Sequence, residues 1–394
     1  MSDIENKVDK STEKGNNKKK KALAVLLPIL SIFLVITIVV GIFVGHKFSL
    51  IDFDDNESTT IDPNKDFVEN DGEKLDFADM DDATGNDFRE ILKNWATNEG
   101  EKMSNRDVIN ILLIGSDASA EEEGRANITE KGNTDVMMLV SINQVDKKIK
   151  LVSIMRVSYT YMDQFDRYAK LNAACANGGP AYLVETIEND YKIEIDGYAM
   201  VDFDSFTQVI DVLGGVNVDV PAYVANHLNN GVLKSNKMKS GEGVLLDGDQ
   251  ALAFSRVRKT DKDGDVSRVA RQRQVINALI DKAKSASLSE INEVIDVILA
   301  NVRTNISKKS IISYASKAIT EGWASYKIDE ITMPTPDARY GYSSKSTAWI
   351  WVVDYPLAAQ KLQLELYGET NINLEEGNRK TAITVIGGYV SRVK

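Results

Sequence analysis

Residues 135–156 read DVMMLVSINQVDKKIKLVSIMR. Two apolar runs, rich in Val, Ile and Leu, flank the polar stretch NQVDKK. Apolar runs of strand length separated by turn-forming residues predict a β-hairpin. Upstream, VINILLIGSD reads as a further strand. Downstream, GPAYLVETIENDY reads as a helix with Pro180 at its first position, where a missing N–H costs nothing. YAMVDF is a strand, DSFTQVIDVLGG a helix capped by Asp204 and stopped at Gly214, and VNVDVP a short strand. Residues 222–246 are polar and loop-like, and LDGDQALAFSR fits either a helix capped by Asp247 or a strand. From Val266, apolar residues at 269, 276, 279, 280 and 283 predict a long amphipathic helix. Two more helices follow in 288–321, then strands IDEITMP and AWIWVVD, and a closing helix PLAAQKLQLELYG that starts at Pro356. Strands and helices alternate without a repeat period. The expected fold is α/β, a mixed central sheet sandwiched by helices.

Charge divides the chain. The net charge is −12 over 394 residues, and residues 52–90 alone hold 15 acidic and 3 basic side chains, also a net of −12. Residues 22–45 carry no charge, and 24 such residues exceed the roughly 20 that cross a bilayer core. Four lysines, 18–21, precede them, so the positive-inside rule puts residues 1–21 in the cytoplasm and the body outside. The reading is a single-pass, signal-anchored membrane protein with an extracellular body. Residues 46–87 form an acidic linker whose composition cannot bury enough surface to fold alone. An amphipathic helix capped by Asp87 opens the body, 88–368, and 369–394 form a tail. Cys175 stands alone, which excludes an intrachain disulfide, and with only His46 and His227 a histidine-based triad or zinc site is disfavoured.

The body gathers guanidinium groups. Arg256 and Arg258 lie two apart, and on an extended chain they point the same way. GDVSRVARQRQ, 264–274, adds Arg268, Arg271 and Arg273. On a helix, Arg268, Arg271 and Gln272 share a face near the N-terminus, where backbone N–H groups already favour anions. Planar guanidinium forks match phosphate oxygens, so a pyrophosphate fits; a solvated face paired with Asp261, Asp263 and Asp265 is the bland alternative. Asp117 closes one strand and Asp135 opens another; carboxylates at strand ends can share a hard cation, or simply make a turn and a cap. Arg156 ends the strand LVSIMR. Lys170 and Asn172 precede Gly178 and Gly179, an arrangement that suits phosphate or sugar but equally an ordinary turn. There is no GxxxxGK[ST] phosphate loop.

Seven stretches together resemble the LytR-CpsA-Psr family of cell-envelope proteins: NILLIGSD, NTDVMMLVSIN, KIKLVSIMR, KLNAACANGG, VIDVLGGVNVDV, LDGDQALAFSRVR and GDVSRVARQRQVI. They occur in the family's order across residues 108–283. The resemblance implies a helix-covered mixed sheet with an apolar groove for a polyprenyl chain, in a Gram-positive envelope. It implies a phosphotransferase that moves a glycopolymer, teichoic acid or capsular polysaccharide, from undecaprenyl pyrophosphate to peptidoglycan. Asp117 and Asp135 would hold Mg2+, or Mn2+. Arg156, Lys170, Asn172, Arg256, Arg258, Arg268 and Gln272 would grip the pyrophosphate, with Arg156, Arg268 and Arg271 catalytic. Two positions depart from the family. Val157 and Ser158 stand where Asp and Thr are usual, leaving Asp163 or Asp166 to substitute, and Asn133 stands where an arginine is common, Arg125 being nearest. These departures keep open a non-catalytic polyprenyl-pyrophosphate binder and a lipid pyrophosphatase. Nucleic acid is excluded as a partner, because the linker repels polyanions and basic residues are few outside one cluster.

Overall fold

A computed structural model describes residues 52–53, 82–98, 100–116, 134–257, 260, 265–342 and 349–374. The chain divides into Met1–Leu50 and Ile51–Lys394, and every described residue belongs to the second unit. The predicted membrane span, the cytoplasmic segment and most of the acidic linker lie outside the described residues. Among those described, no helix is long and apolar enough to cross a membrane.

A seven-stranded mixed sheet forms the centre. Its strands are β1 (Asp52–Phe53), β2 (Val108–Ser116), β3 (Thr134–Asn143), β4 (Lys148–Ile154), β7 (Gly197–Asp202), β10 (Val302–Thr304) and β11 (Lys327–Met333). Their order is β1-β10-β7-β2-β3-β4-β11. The β3–β4 hairpin is the one expected from 135–156, closed by a turn in which Lys147 takes φ 52°. β7 and β2 are parallel, as are β4 and β11, while β3 runs against β2 and β4. The carboxyl ends of β2, β4, β7 and β11 and the start of β3 therefore lie along one edge. In open α/β sheets ligands bind at such an edge.

The pleat sorts the two faces. Leu112, Leu139 and Val152 are paired in a row, all buried, and lie on the face that carries the largest apolar core. Helices α1 (Asp82–Thr97), α2 (Ala173–Tyr191) and α9 (Tyr355–Tyr367) cover it. Each buried large aliphatic side chain there contributes roughly 1.5–3 kcal/mol. The hairpins β5–β6 (Tyr159–Met162, Arg167–Lys170) and β12–β13 (Arg339–Tyr342, Ile350–Val353) extend the same core. On the other face, Ile109 and Ile142 pack under Tyr314 and Ala318 of α8 (Lys308–Thr320) and under Trp323 and Tyr326.

Several local expectations change. α1 begins at Asp82, so Asp87 lies inside it and does not cap it. A short helical stretch also precedes Pro180, but Gly179, at φ 76° and ψ −179°, breaks it, and the helix expected from Pro180 starts there. The cap of α3 (Phe203–Val212) is Asp202, whose carboxylate accepts from the Ser205 amide; Asp204 is two residues too late. Residues 222–246 are not a loop throughout. They hold α4 (Ala222–Asn230) and β9 (Gly241–Leu246), which pairs with β8 (Val216–Val220). Burial of Val224, Ala225 and Leu228 in a second core holds this polar helix in place. LDGDQALAFSR resolves into the end of β9 and α5 (Gly248–Arg256). Asp247 and Gln250 form a reciprocal capping box that starts that helix. Gly248 is needed there, because a Cβ would lie 2.4 Å from the Thr207 carbonyl oxygen of α3. α6 (Asp265–Ser285) and α7 (Leu288–Asn301) complete the fold.

Candidate functional site

At the carboxyl edge of the sheet, three guanidinium groups surround one carboxylate. Asp135, the second residue of β3, is 6% exposed. Arg156 follows β4 by two residues, and its Nη1 lies 3.1 Å from Asp135 Oδ1. Arg268, from the first turn of α6, brings Nη1 to 3.4 Å from the same oxygen. Arg256 closes α5 and reaches Oδ2 at 3.5 Å. Gln272, one turn after Arg268, donates its amide to the Asp135 carbonyl at 3.4 Å. Four segments distant in sequence thus meet at one point.

Electrostatics give the point its character. Arg156 and Arg268 are 4% and 2% exposed, whereas Arg256 is 43% exposed and rests its guanidinium 4.7 Å from the Phe203 ring centroid. Among the described residues, three guanidiniums face one carboxylate in a mostly buried setting. Burying charge is tolerable only where it is paired, and here the pairing runs between the arginines and Asp135. Guanidinium forks suit phosphate geometry.

The remaining expected residues sort themselves. Arg271 does not join the carboxylate; its Nη2 donates to the Val257 carbonyl at 2.5 Å, tying α6 to the end of α5. Arg273 faces Glu330 of β11. Arg256 sits at a helix end, not on an extended chain. Arg258, Asp117, Arg125 and Asn133 lie outside the described residues. Lys170 ends β6, buried. Asn172 is fully buried at the N-cap of α2, its amide donates to the Arg156 carbonyl at 3.1 Å, and both side-chain amide atoms lack a hydrogen-bond partner. Asp163 and Asp166 do not substitute at the cluster: Asp166 pairs with Lys93 of α1 and accepts from Tyr161, and Asp163 accepts from Tyr182. Val157 lies in the main core, its carbonyl accepting from the Trp351 amide at 3.0 Å. Cys175 is inert, its thiol pushed up to about 11 by burial.

Sequence reasoning missed the ground beneath Arg156. Arg339 of β12 is buried, donates to the Pro334 carbonyl at 2.7 Å and to Met155 Sδ at 3.4 Å, and lies 4.8 Å from the Trp351 ring centroid. Nothing in the local sequence marks it, since its partners come from other strands.

Magnesium fits the donor chemistry. It is held through one or two carboxylates together with substrate phosphate oxygens. Asp135 places one buried carboxylate where phosphate would sit. Among the described residues no group of three or more His, Cys, Asp and Glu is assembled, so a cage of protein ligands is not what these residues offer.

Fold and cluster together define a class: an α/β protein whose sheet edge gathers arginines around one buried carboxylate. The LytR_cpsA_psr family matches residues 76–363, and the chain belongs to that family. It is 37% identical over 222 residues to the polyisoprenyl-teichoic acid–peptidoglycan teichoic acid transferase TagV of Bacillus subtilis (strain 168), covering 56% of each chain. It is 36% identical to TagU of Bacillus anthracis, a transferase of the same description, over 54% of this chain and 65% of that one. The chain thus spans less than two thirds of either relative. Among solved structures, B. subtilis TagV is similar at TM-score 0.52 and 30% identity, over 68% of this chain and 100% of that chain. TagT bound to LI-WTA is similar at TM-score 0.53 and 26% identity, over 68% and 93%.

Proposed function

We propose that this chain is a membrane-anchored phosphotransferase that moves an anionic glycopolymer from a polyprenyl-pyrophosphate carrier to peptidoglycan. One observation carries the reading: Arg156, Arg256 and Arg268 converge on Asp135 at the sheet edge. An apolar layer begins beside them, with Val157 next to Arg156 and Val266 near the start of α6 both packed in the main core. A charged head with a greasy tail is the ligand that such a juxtaposition suits. The names of the TagU and TagV relatives support the choice of polymer and acceptor.

In this mechanism Arg156 and Arg268 take the oxygens of the phosphoryl group that is transferred. Arg256, half in solvent, grips the outer phosphate and releases it after turnover. An acceptor hydroxyl forms a bond to the phosphorus nearer the sugar, and the bond to the lipid phosphate breaks. The transition state spreads charge over non-bridging oxygens, and fixed guanidiniums stabilise that charge without reorganising. Asn172 offers an unused buried amide to the same group. Asp135 with Asp117 would hold magnesium, which neutralises further phosphate charge.

The test mixes the purified chain in detergent with magnesium, a short lipid-linked glycan and peptidoglycan fragments. Joined product supports transfer. Tight binding without turnover would instead make it a polyprenyl-pyrophosphate binder, the reading favoured by an apolar Val157 at the position where the family usually has Asp. Release of free glycan phosphate would make it a hydrolase.

A further inference from the structure

We propose that Trp349 is a stacking platform for a pyranose ring immediately beside the arginine cluster. The inference rests on the proposed pyrophosphate seat and adds a sugar subsite to it.

The placement follows from the hairpin β12–β13. Trp351 is fully buried, bridged in parallel to Ser158, and its amide donates to Val157, the residue after Arg156. From Ser158, β5 leads away from the site edge: Thr160 bonds Asp190, at the far end of α2, while the start of α2 lies at the Arg156 carbonyl. Since the bridge is parallel, β13 also runs away from the site. Its beginning is therefore the part nearest Arg156, and Trp349 stands just before Ile350, the first residue of β13.

Trp349 is also built into place. Its ring lies edge-on to Trp351 at 4.2 Å between centroids, and Trp351 in turn lies under the Arg339 guanidinium. The stack Trp349–Trp351–Arg339 ends on Met155, the neighbour of Arg156. Yet Trp349 keeps 38% of its surface exposed, the most of any Trp or Phe in the described residues whose exposure exceeds the buried range. A single exposed aromatic is ordinary on a protein surface. This one is held by a buried scaffold at the start of a strand that begins beside Arg156, and it keeps an open face. Aromatic faces bind the C–H face of sugars through the same dispersion and quadrupole forces that pair rings. The pyrophosphate it adjoins carries a sugar on its transferred side, and the acceptor brings another. A pyranose ring is the ligand in either case.

The full chain in detergent separates the two sources. Three probes are titrated calorimetrically: geranyl pyrophosphate, geranyl-pyrophosphate-linked N-acetylglucosamine, and a peptidoglycan tetrasaccharide. Trp349→Ala should bind geranyl pyrophosphate as the wild type does and lose about tenfold in affinity for one sugar probe. Trp349→Phe, which keeps a smaller ring and guards against misfolding, should lose less. A loss confined to the linked sugar assigns the platform to the donor, and a loss confined to the tetrasaccharide assigns it to the acceptor. The sugar probe so identified should quench wild-type tryptophan fluorescence more than that of Trp349→Phe. Unchanged affinity for both sugar probes in Trp349→Ala overturns the proposal. Failure of geranyl pyrophosphate to bind the wild type overturns the pyrophosphate seat instead, and the tetrasaccharide result then judges Trp349 by itself.

Discussion

Asp135→Asn separates the two roles that one carboxylate plays at the site. Without metal, Asp135 occupies the guanidiniums that a pyrophosphate would use, at 3.1, 3.4 and 3.5 Å. Two anions that share a guanidinium stand about 6 Å apart, and at an effective dielectric of about 20 their repulsion is about 3 kcal/mol. Removing the carboxylate charge should therefore raise affinity for inorganic pyrophosphate in EDTA by roughly ten- to hundredfold. The same change removes the carboxylate that pairs two buried guanidiniums and should destabilise the free protein by about 3–5 kcal/mol. Saturating pyrophosphate should restore part of that loss by mass action. With magnesium present the order should reverse, because the variant lacks the carboxylate proposed to hold the cation. Calorimetric titration with inorganic pyrophosphate, in EDTA and then in magnesium, measures both effects, and thermal melts follow stability. If the variant binds no better than wild type without metal, the carboxylate does not compete for the guanidiniums and the assigned geometry of the seat is wrong.

Other perturbations read different parts of the structure. Arg268→Ala should lower kcat/KM about 10²- to 10³-fold, with Arg268→Lys intermediate because a point charge replaces a fork; steady-state kinetics with lipid-linked glycan checks it. Asp190 is fully buried, and burial pushes its carboxyl up to about 8 from an ordinary 3.8. The folded state thus holds the proton more tightly than the unfolded state. The stability it contributes is complete below about pH 4 and is lost as pH rises toward 8. Asp190→Asn should flatten the pH dependence of the melting temperature across that window. Gly248→Ala drives a Cβ into the Thr207 carbonyl, so it should cost about 1–3 kcal/mol in urea unfolding and weaken pyrophosphate binding by tilting the helix that carries Arg256.

The hairpin of 135–156 and the amphipathic helix from Val266 were legible because their periodicity survives in the sequence. So was the pairing of Arg268 with Gln272, which one helical turn places on one face. Arg271 was misjudged because spacing cannot tell a face that meets a carboxylate from an adjoining direction that meets the Val257 carbonyl. α4 was hidden because only three of its side chains are buried, and its stability comes from the second core. The β5–β6 hairpin was missed because YTYM and RYAK are short and every residue of the first strand is buried, so no alternation shows. The Arg339–Trp351 stack joins strands to a segment far back in the chain, a relation that no local pattern carries.

The guanidinium cluster sits on the seam between two separately packed cores. Val157, beside Arg156, belongs to the larger; Phe254 and Val257, around Arg256, belong to the smaller. α6 touches both, through Val266 near its start and Val275 further on. A polyanion bound by Arg156 and Arg256, as proposed, would be a clasp across a joint. Part of its binding energy would then hold the two halves in register, so a local opening of the smaller half would disarm the seat.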